Sequence, residues 1–238
     1  MTPSAWMRWG FAHCGCPVAA ETTVAKVDIL GFVAGPYQTN CYLFDDGAKL
    51  SVIDPGMQAQ PVVEQYLREH NRTLEHVVLT HGHIDHTRDA AALANAWDVP
   101  LWIHPDDAFM LEAGDGVLEQ SKVLFQAHTM PQAKDLRYLE HGQTIELGGE
   151  AFEVRHAPGH SPGSVLFVGK QLCISGDVVF QGSIGRTDLP QSDPEAMEQS
   201  LRDEVLRLDP ALQILPGHGA ATTARAEFAT NPFLTSLK

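Results

Sequence analysis

The chain has 238 residues, of which 44% are hydrophobic and 19% charged, and this is enough for one large globular domain with a sizeable core. Its formal net charge is −14, from 30 acidic and 16 basic side chains, which argues against a basic surface that binds nucleic acid. No stretch approaches about 18 consecutive apolar residues, so we expect no segment that spans a membrane.

The N-terminal segment differs from the rest of the chain. We expect residues 1–23 to form an irregular N-terminal extension, followed by one domain over residues 24–238. A broken apolar run and a single arginine argue against a secretory signal. Cys14 and Cys16 form a C-x-C without a matching pair, which favours an irregular tail over a metal or redox site. The sparse cysteines suit a reducing cytoplasm.

The first half of the domain is expected to contain five strands and two helices. Apolar runs predict strands at residues 27–33, 41–44, 50–53, 77–79 and 101–103. A proline opens a predicted helix at 61–70, and an alanine-rich helix is predicted at 87–97. Cys41 lies within one of these runs, and Cys173 lies within a later one. Both are therefore expected to be small buried side chains.

The second half continues the alternation of strands and helices. Strands are predicted at residues 144–147, 152–155, 165–168, 172–174 and 213–215. Ser192 and Glu195 have the spacing of a capping box, which predicts a helix that begins here. Two sheets packed face to face, with helices outside, are the simplest way to bury these apolar faces. The sequence therefore predicts an α/β (α+β) chain with a single domain.

The most informative segment is Thr80–His86, which follows the predicted fourth strand and holds three histidines and one aspartate. Imidazole and carboxylate groups are ligands of zinc, iron and manganese. His81 and His83, at alternate positions, can converge on one ion. Asp85 and His86, displaced along the turn, can serve a second ion. The segment predicts a metal-dependent hydrolase if further ligands come from elsewhere in the chain.

Three further segments each end an apolar run in a tight turn with one potential ligand. These ligands are His160 in a Pro-Gly-His turn, Asp177 in a Gly-Asp pair and His218 in a Gly-His-Gly turn. Binding residues concentrate on such turns at one edge of a sheet. Asp54, in an Asp-Pro-Gly turn, is either a residue that orients a ligand histidine or a simple turn residue.

The order of these motifs resembles that of the metallo-β-lactamase-fold hydrolases: HxHxDH, then a lone histidine, then Gly-Asp, then Gly-His. The segment Gly182–Asp188 resembles the one that follows the bridging aspartate in relatives of glyoxalase II. The match extends roughly over residues 24–234, nearly the whole chain. The resemblance implies a four-layer αββα sandwich, the metallo-β-lactamase fold.

The resemblance also implies the metal ligands. His81, His83 and His160 would hold a first ion, and Asp85, His86 and His218 would hold a second. Asp177 would bridge the two ions. The cofactors implied are two divalent metal ions, with zinc favoured and iron or manganese as alternatives, since a mixed histidine and aspartate site accepts all three.

The activity implied is that of a short glyoxalase II-like (hydroxyacylglutathione hydrolase-like) enzyme. Metal-bound hydroxide would attack the thioester of a 2-hydroxyacyl thiol and give a hydroxy acid and a free thiol. Asp85 would also accept a proton. The partner is thus a small-molecule thioester, with neither nucleic acid nor a membrane involved. Only 20 residues follow His218, without the C-terminal helical domain that binds glutathione in full-length glyoxalase II. The carrier thiol and the oligomeric state therefore stay open.

This sequence also resembles a second class of enzymes, which share its Gly-Arg-Thr-Asp segment. Persulfide dioxygenases hold one iron with two histidines and an aspartate, which here would be His81, His160 and Asp177, or His83 in place of one histidine. The Gly-Ser-Ile-Gly spelling and the Asn-Pro-Phe ending favour the hydrolase. A non-catalytic scaffold is disfavoured because a binding module has no need of seven potential ligands.

Two regions are expected to shape a substrate pocket. Arg186 is a candidate for binding a substrate carboxylate, with Asp188 orienting it, although their salt bridge could equally only stiffen the loop. Residues 113–134 form a long, weakly patterned stretch that could cover the site as a lid. The alternative is a short helix at 117–124 on the rim.

Overall fold

The computed structural model describes residues 7–9, 27–112 and 114–237. Within the extension that the sequence predicts to be irregular, residues 7–9 form an edge strand that pairs with residues 29–31. The predicted tail around Cys14 and Cys16 lies outside the described residues. Among the described residues, the helices are all too short or too polar to cross a membrane.

The described part of the chain forms fifteen strands and seven α-helices. The strands are β1 (Met7–Trp9), β2 (Asp28–Ala34), β3 (Thr39–Asp45), β4 (Lys49–Ile53), β5 (Thr73–Val78), β6 (Leu101–Ile103), β7 (Leu136–Tyr138), β8 (Thr144–Leu147), β9 (Glu150–His156), β10 (Val165–Val168), β11 (Leu172–Gly176), β12 (Val179–Phe180), β13 (Ser183–Ile184), β14 (Gln213–Pro216) and β15 (Thr222–Thr223). The helices are α1 (Ala59–His70), α2 (Ile84–Thr87), α3 (Ala90–Trp97), α4 (Glu119–Leu124), α5 (Pro194–Ser200), α6 (Ala224–Thr230) and α7 (Pro232–Thr235). Short 3-10 helices occupy Pro105–Leu111 and Ala127–Thr129, and a π-helical turn occupies Leu201–Val205.

Two large sheets and one small hairpin organise these strands. The first sheet has the order β1-β2-β3-β4-β5-β6-β7, and the second has the order β15-β14-β11-β10-β9-β8. Strands β4 to β7 run parallel to one another, as do β11 and β14. Strands β12 and β13 form a separate hairpin. Parallel strands end at the same edge, so the loops that follow β4, β5, β6, β11 and β14 are brought together.

The apolar side chains form three layers. On β3, Cys41 and Leu43 face the layer shared with α1 and α3, whereas Tyr42 and Phe44 face the second sheet. This is the two-residue period of a strand that is buried on both faces. A third layer packs Cys173 and other residues of the second sheet against the C-terminal helices. The result is the four-layer αββα sandwich that the sequence predicts, and both described cysteines are buried.

Two predicted helices differ from the observed ones. The predicted helix at 87–97 is instead two helices, and α2 itself carries Asp85 and His86. The helices are separate because the Asp89 N–H donates to the Pro55 carbonyl rather than to a carbonyl one turn earlier. The N-cap of α5 is Asp193, whose side chain accepts from the N–H groups of the next turn, and not the predicted Ser192.

Candidate metal centre

All seven predicted ligands lie at the edge where the parallel strands end. His81 and His83 follow β5, and the short helix α2 then places Asp85 and His86. The remaining three come from the second sheet: His160 lies between β9 and β10, Asp177 directly follows β11, and His218 follows β14. The side chain of His218 is 27% exposed, whereas that of His86 is fully buried.

The first group consists of His81, His83 and His160. One ring nitrogen from each lies within 4.8 Å of the others. The Nδ1 atom of His83 is 2.8 Å from the Nε2 atom of His160. The two rings stand nearly perpendicular, at 88°, with centroids 4.5 Å apart. Nitrogen atoms from two distant loops therefore converge on one point.

The second group consists of Asp85, His86 and His218, whose ligand atoms also lie within 4.8 Å of one another. The Nε2 atom of His218 is 3.2 Å from Asp85 Oδ2 and 3.2 Å from His86 Nε2. Asp85 Oδ2 also accepts a hydrogen bond of 3.0 Å from the Thr39 hydroxyl. A carboxylate and two imidazoles thus face a common space beside the first group.

Asp177 lies between the two groups. Its Oδ1 atom is 3.4 Å from His86 Nε2, on the side of the second group. Its Oδ2 atom is 3.4 Å from His160 Nε2 and 3.5 Å from His218 Nε2. One carboxylate therefore reaches ligand atoms of both groups.

Several polar atoms of this cluster are buried without a hydrogen-bond partner among the described residues. They are His81 Nε2, His83 Nε2 and Asp177 Oδ1. A buried polar atom left unsatisfied costs about 1–3 kcal/mol, so three in one place require an explanation. Nitrogen and carboxylate donors in this combination fit a divalent transition-metal ion.

Two histidines of the first group, His81 and His83, have the protonation state that metal binding requires. Burial lowers the pKa of His81 well below its usual value, and the nearby charge of His86 acts in the same direction. Burial, together with His160, lowers the pKa of His83 to about 3. These imidazoles are therefore neutral at physiological pH, with lone pairs available to a cation.

The second group behaves in the opposite way. Burial alone would lower the pKa of His86, but the carboxylates of Asp85 and Asp177 outweigh it and raise this pKa well above its usual value. Burial also opposes the shift of Asp177, yet His86 lowers the pKa of Asp177 to about 2. The pKa of Asp85 is lowered as well, because His86 outweighs burial. Without a cation, protons on histidine balance the two carboxylates.

Asp54 supports the second group through hydrogen bonds to Thr80 and His86. Its Oδ1 atom accepts from the Thr80 N–H at 2.8 Å, and its Oδ2 atom accepts from the Thr80 hydroxyl at 2.6 Å. The same Oδ2 atom is 2.9 Å from Nδ1 of His86. Asp54 has a left-handed backbone, with φ of 51°, a conformation that aspartate tolerates better than most residues. Its position matches a residue that orients a ligand histidine.

Comparison with known proteins agrees with this arrangement. A family model described as the Metallo-beta-lactamase superfamily matches residues 34–218. The chain belongs to the metallo-beta-lactamase superfamily. Hydroxyacylglutathione hydrolase GloC from Haemophilus influenzae is 36% identical over 204 residues, which cover 84% of this chain and 94% of that protein.

Two solved structures are similar to this chain over nearly their whole length. The BLEG-1 B3 metallo-beta-lactamase has a TM-score of 0.76 at 33% identity, covering 87% of this chain and 99% of that one. TTHA1623, crystallised in a di-iron-bound form, has a TM-score of 0.72 at 37% identity, covering 86% and 99%.

The cluster of potential metal ligands opens into a cavity of about 340 Å³. His83, Asp85, His160, Asp177 and His218 form its floor. The rest of its lining is mostly apolar. It comes from Tyr37, Ile84 and three segments: residues 116–118 with Ser121, the hairpin β12–β13, and residues 186–190. The predicted short helix on the rim is present as α4, so this stretch is not a long irregular loop.

Arg186 lines this cavity, and Asp188 is its ion-pair partner. Their side chains form a two-bonded ion pair of 2.8 and 2.9 Å, and both are largely exposed. The main chain of Arg186 contacts the metal centre, because its carbonyl is 2.8 Å from Nδ1 of His160. Arg186 therefore contacts a ligand histidine through a backbone atom that the sequence pattern does not predict.

Two buried polar residues hold the hairpin β12–β13 in place, and the sequence interpretation missed both. The Asn231 side chain donates to the Ser183 carbonyl at 2.9 Å and to Glu227 Oε2 at 2.9 Å. Glu227 Oε2 also accepts from the Gly182 N–H at 2.8 Å. Both side chains are buried. The available signal was a Glu and an Asn four residues apart on an otherwise ordinary C-terminal helix.

A further cluster of potential metal ligands lies outside the first and second groups. It consists of His104, Asp106 and His156. The two imidazole rings stack at 4.0 Å with an angle of 11°, so their lone pairs lie in parallel planes and do not meet at one point. Nε2 of His156 is also paired with the Pro162 carbonyl at 2.8 Å. The ligand atoms of this cluster also lie within 4.8 Å of one another, but Asp106 is exposed, so the cluster is less enclosed than the first and second groups.

Proposed function

We propose that this chain is a binuclear metal-dependent hydrolase that cleaves the thioester of a 2-hydroxyacyl thiol into a hydroxy acid and a free thiol. The observation that carries the proposal is the position of Asp177 between the groups: Oδ1 lies 3.4 Å from His86, and Oδ2 lies 3.4 Å from His160 and 3.5 Å from His218. A single ion needs only one of these groups, whereas a complete second group beside a shared carboxylate suits two ions.

In this proposal, each group holds one ion. His81, His83 and His160 would hold the first ion, Asp85, His86 and His218 would hold the second, and Asp177 would be a ligand shared by both groups. When bound, divalent ions lower the pKa of a coordinated water to about 7 and polarise a carbonyl oxygen. Zinc is the favoured metal, and iron or manganese would fit the same donors.

The surrounding residues fix which ring nitrogens face the centre. Asp54 accepts the proton on Nδ1 of His86, which leaves Nε2 free towards His218 and Asp177. The Arg186 carbonyl accepts the proton on Nδ1 of His160, which directs Nε2 of His160 towards His83 and Asp177. Such partners orient metal-binding histidines and raise their basicity.

Asp85 is the proposed proton acceptor. Its carboxylate lines the cavity, and its lowered pKa keeps it ionised at neutral pH. The Thr39 hydroxyl holds Oδ2 in place by a hydrogen bond of 3.0 Å. A water molecule that attacks the substrate can transfer a proton to this carboxylate, as a general base requires.

The cavity and the leaving group suit a thioester. Ile84, Phe180 and Ile184 offer apolar contacts for the substrate chain. A thiolate is a good leaving group and needs no strong protein acid. Arg186, which lines the cavity, is the proposed contact for a substrate carboxylate. Asp188 orients its guanidinium group. The similarity to a protein named hydroxyacylglutathione hydrolase supports the same reaction class.

The test combines metal content with hydrolysis. Protein purified without added metal is expected to contain about two equivalents per chain and to release free thiol from lactoyl thioesters of several thiols, glutathione included. Asp177→Asn should lose both activity and the second equivalent. His128→Ala, an exposed histidine outside the site, should change neither. Two bound metal ions without turnover of any thioester would refute the proposed substrate class.

The same measurements decide the alternative, a mononuclear iron persulfide dioxygenase. One equivalent of iron, oxygen consumption with glutathione persulfide and no thioester hydrolysis would support it. The second group alone does not exclude the dioxygenase, because enzymes of that class keep several of its residues. The Gly-Ser-Ile-Gly spelling and the Asn-Pro-Phe ending favour the hydrolase.

A further inference from the structure

Asp107 is a buried carboxylate behind the first group, on the 3-10 helix that follows β6. Its exposed fraction is 0%. Its Oδ2 atom accepts from the Gly82 N–H at 2.7 Å and from the Ser161 hydroxyl at 2.6 Å. Its Oδ1 atom accepts from the Gly163 N–H at 2.6 Å. Three short hydrogen bonds from uncharged donors therefore satisfy this carboxylate.

The three donors belong to the two loops that carry the first group. Gly82 lies between His81 and His83, so the hydrogen bond from its N–H to Asp107 also positions the backbone of both histidines. Ser161 directly follows His160, and Gly163 lies two residues further on. The two loops are far apart in sequence, since His83 and His160 are separated by 77 positions. Asp107 connects them through a third segment.

The close fit of Asp107 explains why two of its partners are glycines. A Cβ on Gly163 would lie 2.7 Å from Asp107 Cγ and 2.8 Å from Asp107 N. A Cβ on Gly82 would lie 2.9 Å from the Asp107 carbonyl oxygen and 2.8 Å from Sδ of Met110. Real Cβ atoms do not approach so closely. Both loops therefore pack directly against this segment, with no room to shift towards it.

We propose that Asp107 is a positioning residue that sets the distance between the His81–His83 loop and the His160 loop, and so determines the metal affinity of the first group. It acts through the backbone of Gly82 and Gly163 and the hydroxyl of Ser161, and touches neither metal nor substrate. The inference rests on the proposed function, because it assumes that the first group holds an ion.

The effect should be selective for the first group. The second group is held by other contacts, from Thr39 to Asp85 and from Asp54 to His86. None of the hydrogen bonds of Asp107 reaches these residues. A purely structural role would instead weaken both groups together or lower the stability of the whole chain.

The test is a competition with a coloured chelator that resolves two successive zinc dissociation constants for the full chain. Asp107→Asn keeps the size of the side chain but replaces one acceptor oxygen with an amide that faces an N–H group. We expect the dissociation constant of the first group to rise about 10- to 100-fold, as for other partners of ligand residues. The second constant should stay within about threefold.

Two further variants complete the experiment. Asp106→Asn, on the same 3-10 helix but exposed, is the matched control and should change neither constant. Ser161→Ala removes one of the three hydrogen bonds, and the first constant should rise by a smaller factor, about three- to tenfold. It also provides a test if Asp107→Asn does not fold.

The outcomes separate this inference from the proposed function. Selective loss at the first group in Asp107→Asn, or in Ser161→Ala, supports the positioning role. Unchanged constants, or an equal loss at both groups, would overturn it while leaving the binuclear centre intact. An unmodified chain that binds no zinc would overturn the proposed function and this inference together.

Discussion

The contact between Asp54 and His86 allows a direct test of the second group. In Asp54→Asn, an amide nitrogen takes the place of one carboxylate oxygen. If it replaces Oδ2, it faces Nδ1 of His86, now 2.9 Å from an acceptor oxygen. The imidazole must then move its proton to Nε2, the atom that faces His218 at 3.2 Å. If it replaces Oδ1, it faces the Thr80 N–H at 2.8 Å instead.

Either orientation has a cost whose size follows from these contacts. An N–H left facing another donor inside the protein costs about 1–3 kcal/mol. Loss of an orienting partner of a ligand histidine lowers metal affinity about 10- to 100-fold, which corresponds to about 1.4–2.7 kcal/mol. We therefore expect Asp54→Asn to weaken zinc binding at the second group by this factor and to leave the first group within about threefold.

The assay is the chelator competition that resolves two dissociation constants, with urea unfolding of the metal-free protein alongside. Asp45→Asn is the matched control, because Asp45 is also buried and hydrogen-bonded, to Tyr66 and Arg72, but lies away from the ligands. It should lower the unfolding free energy without changing either constant. If Asp54→Asn leaves the second constant unchanged, or shifts it no more than Asp45→Asn does, Asp54 does not orient His86 and the reasoning fails.

Three other predictions concern pH, the pocket wall and the core. The raised pKa values of His86 and His218 mean that both must lose protons to bind metal. The zinc affinity of the second group should therefore fall more steeply than that of the first as pH drops from 8 to about 6. Equal slopes in the chelator competition would contradict this. Asn231→Asp sets a second carboxylate against that of Glu227. It should lower the unfolding free energy measured by urea titration by about 3 kcal/mol and raise KM. An unchanged KM would show that the hairpin β12–β13 does not need this contact. Phe152→Ala, fully buried between the sheets, should cost about 3–5 kcal/mol by the same titration with metal content unchanged, and a loss below about 1 kcal/mol would contradict the packing described.

Much of the metal centre could be predicted from the sequence because its ligands are close together or marked by turns. His81 and His83 lie at alternate positions of one turn, and Asp85 and His86 follow on a short helix, so local spacing predicts which of them share an ion. The apolar run at 41–44 likewise predicts a buried strand, and Cys41 within it is buried. Short-range spacing and strand periodicity are written in the order of residues, and they predicted the strands and the four segments that carry potential ligands. The αββα sandwich and the assignment of the ligands to two ions were implied by the resemblance to the metallo-β-lactamase-fold hydrolases.

The tertiary structure alone decided how those ligands are supported. Asp107 reaches Gly82 and Ser161 from 25 and 54 positions away, and nothing in its neighbourhood of the sequence distinguishes it from Asp106. The split between α2 and α3 depends on a carbonyl of Pro55, and the pocket hairpin depends on Asn231. Hydrogen bonds between distant loops obey no sequence period, because their geometry exists only after the sheets have packed and brought the strand ends to one edge.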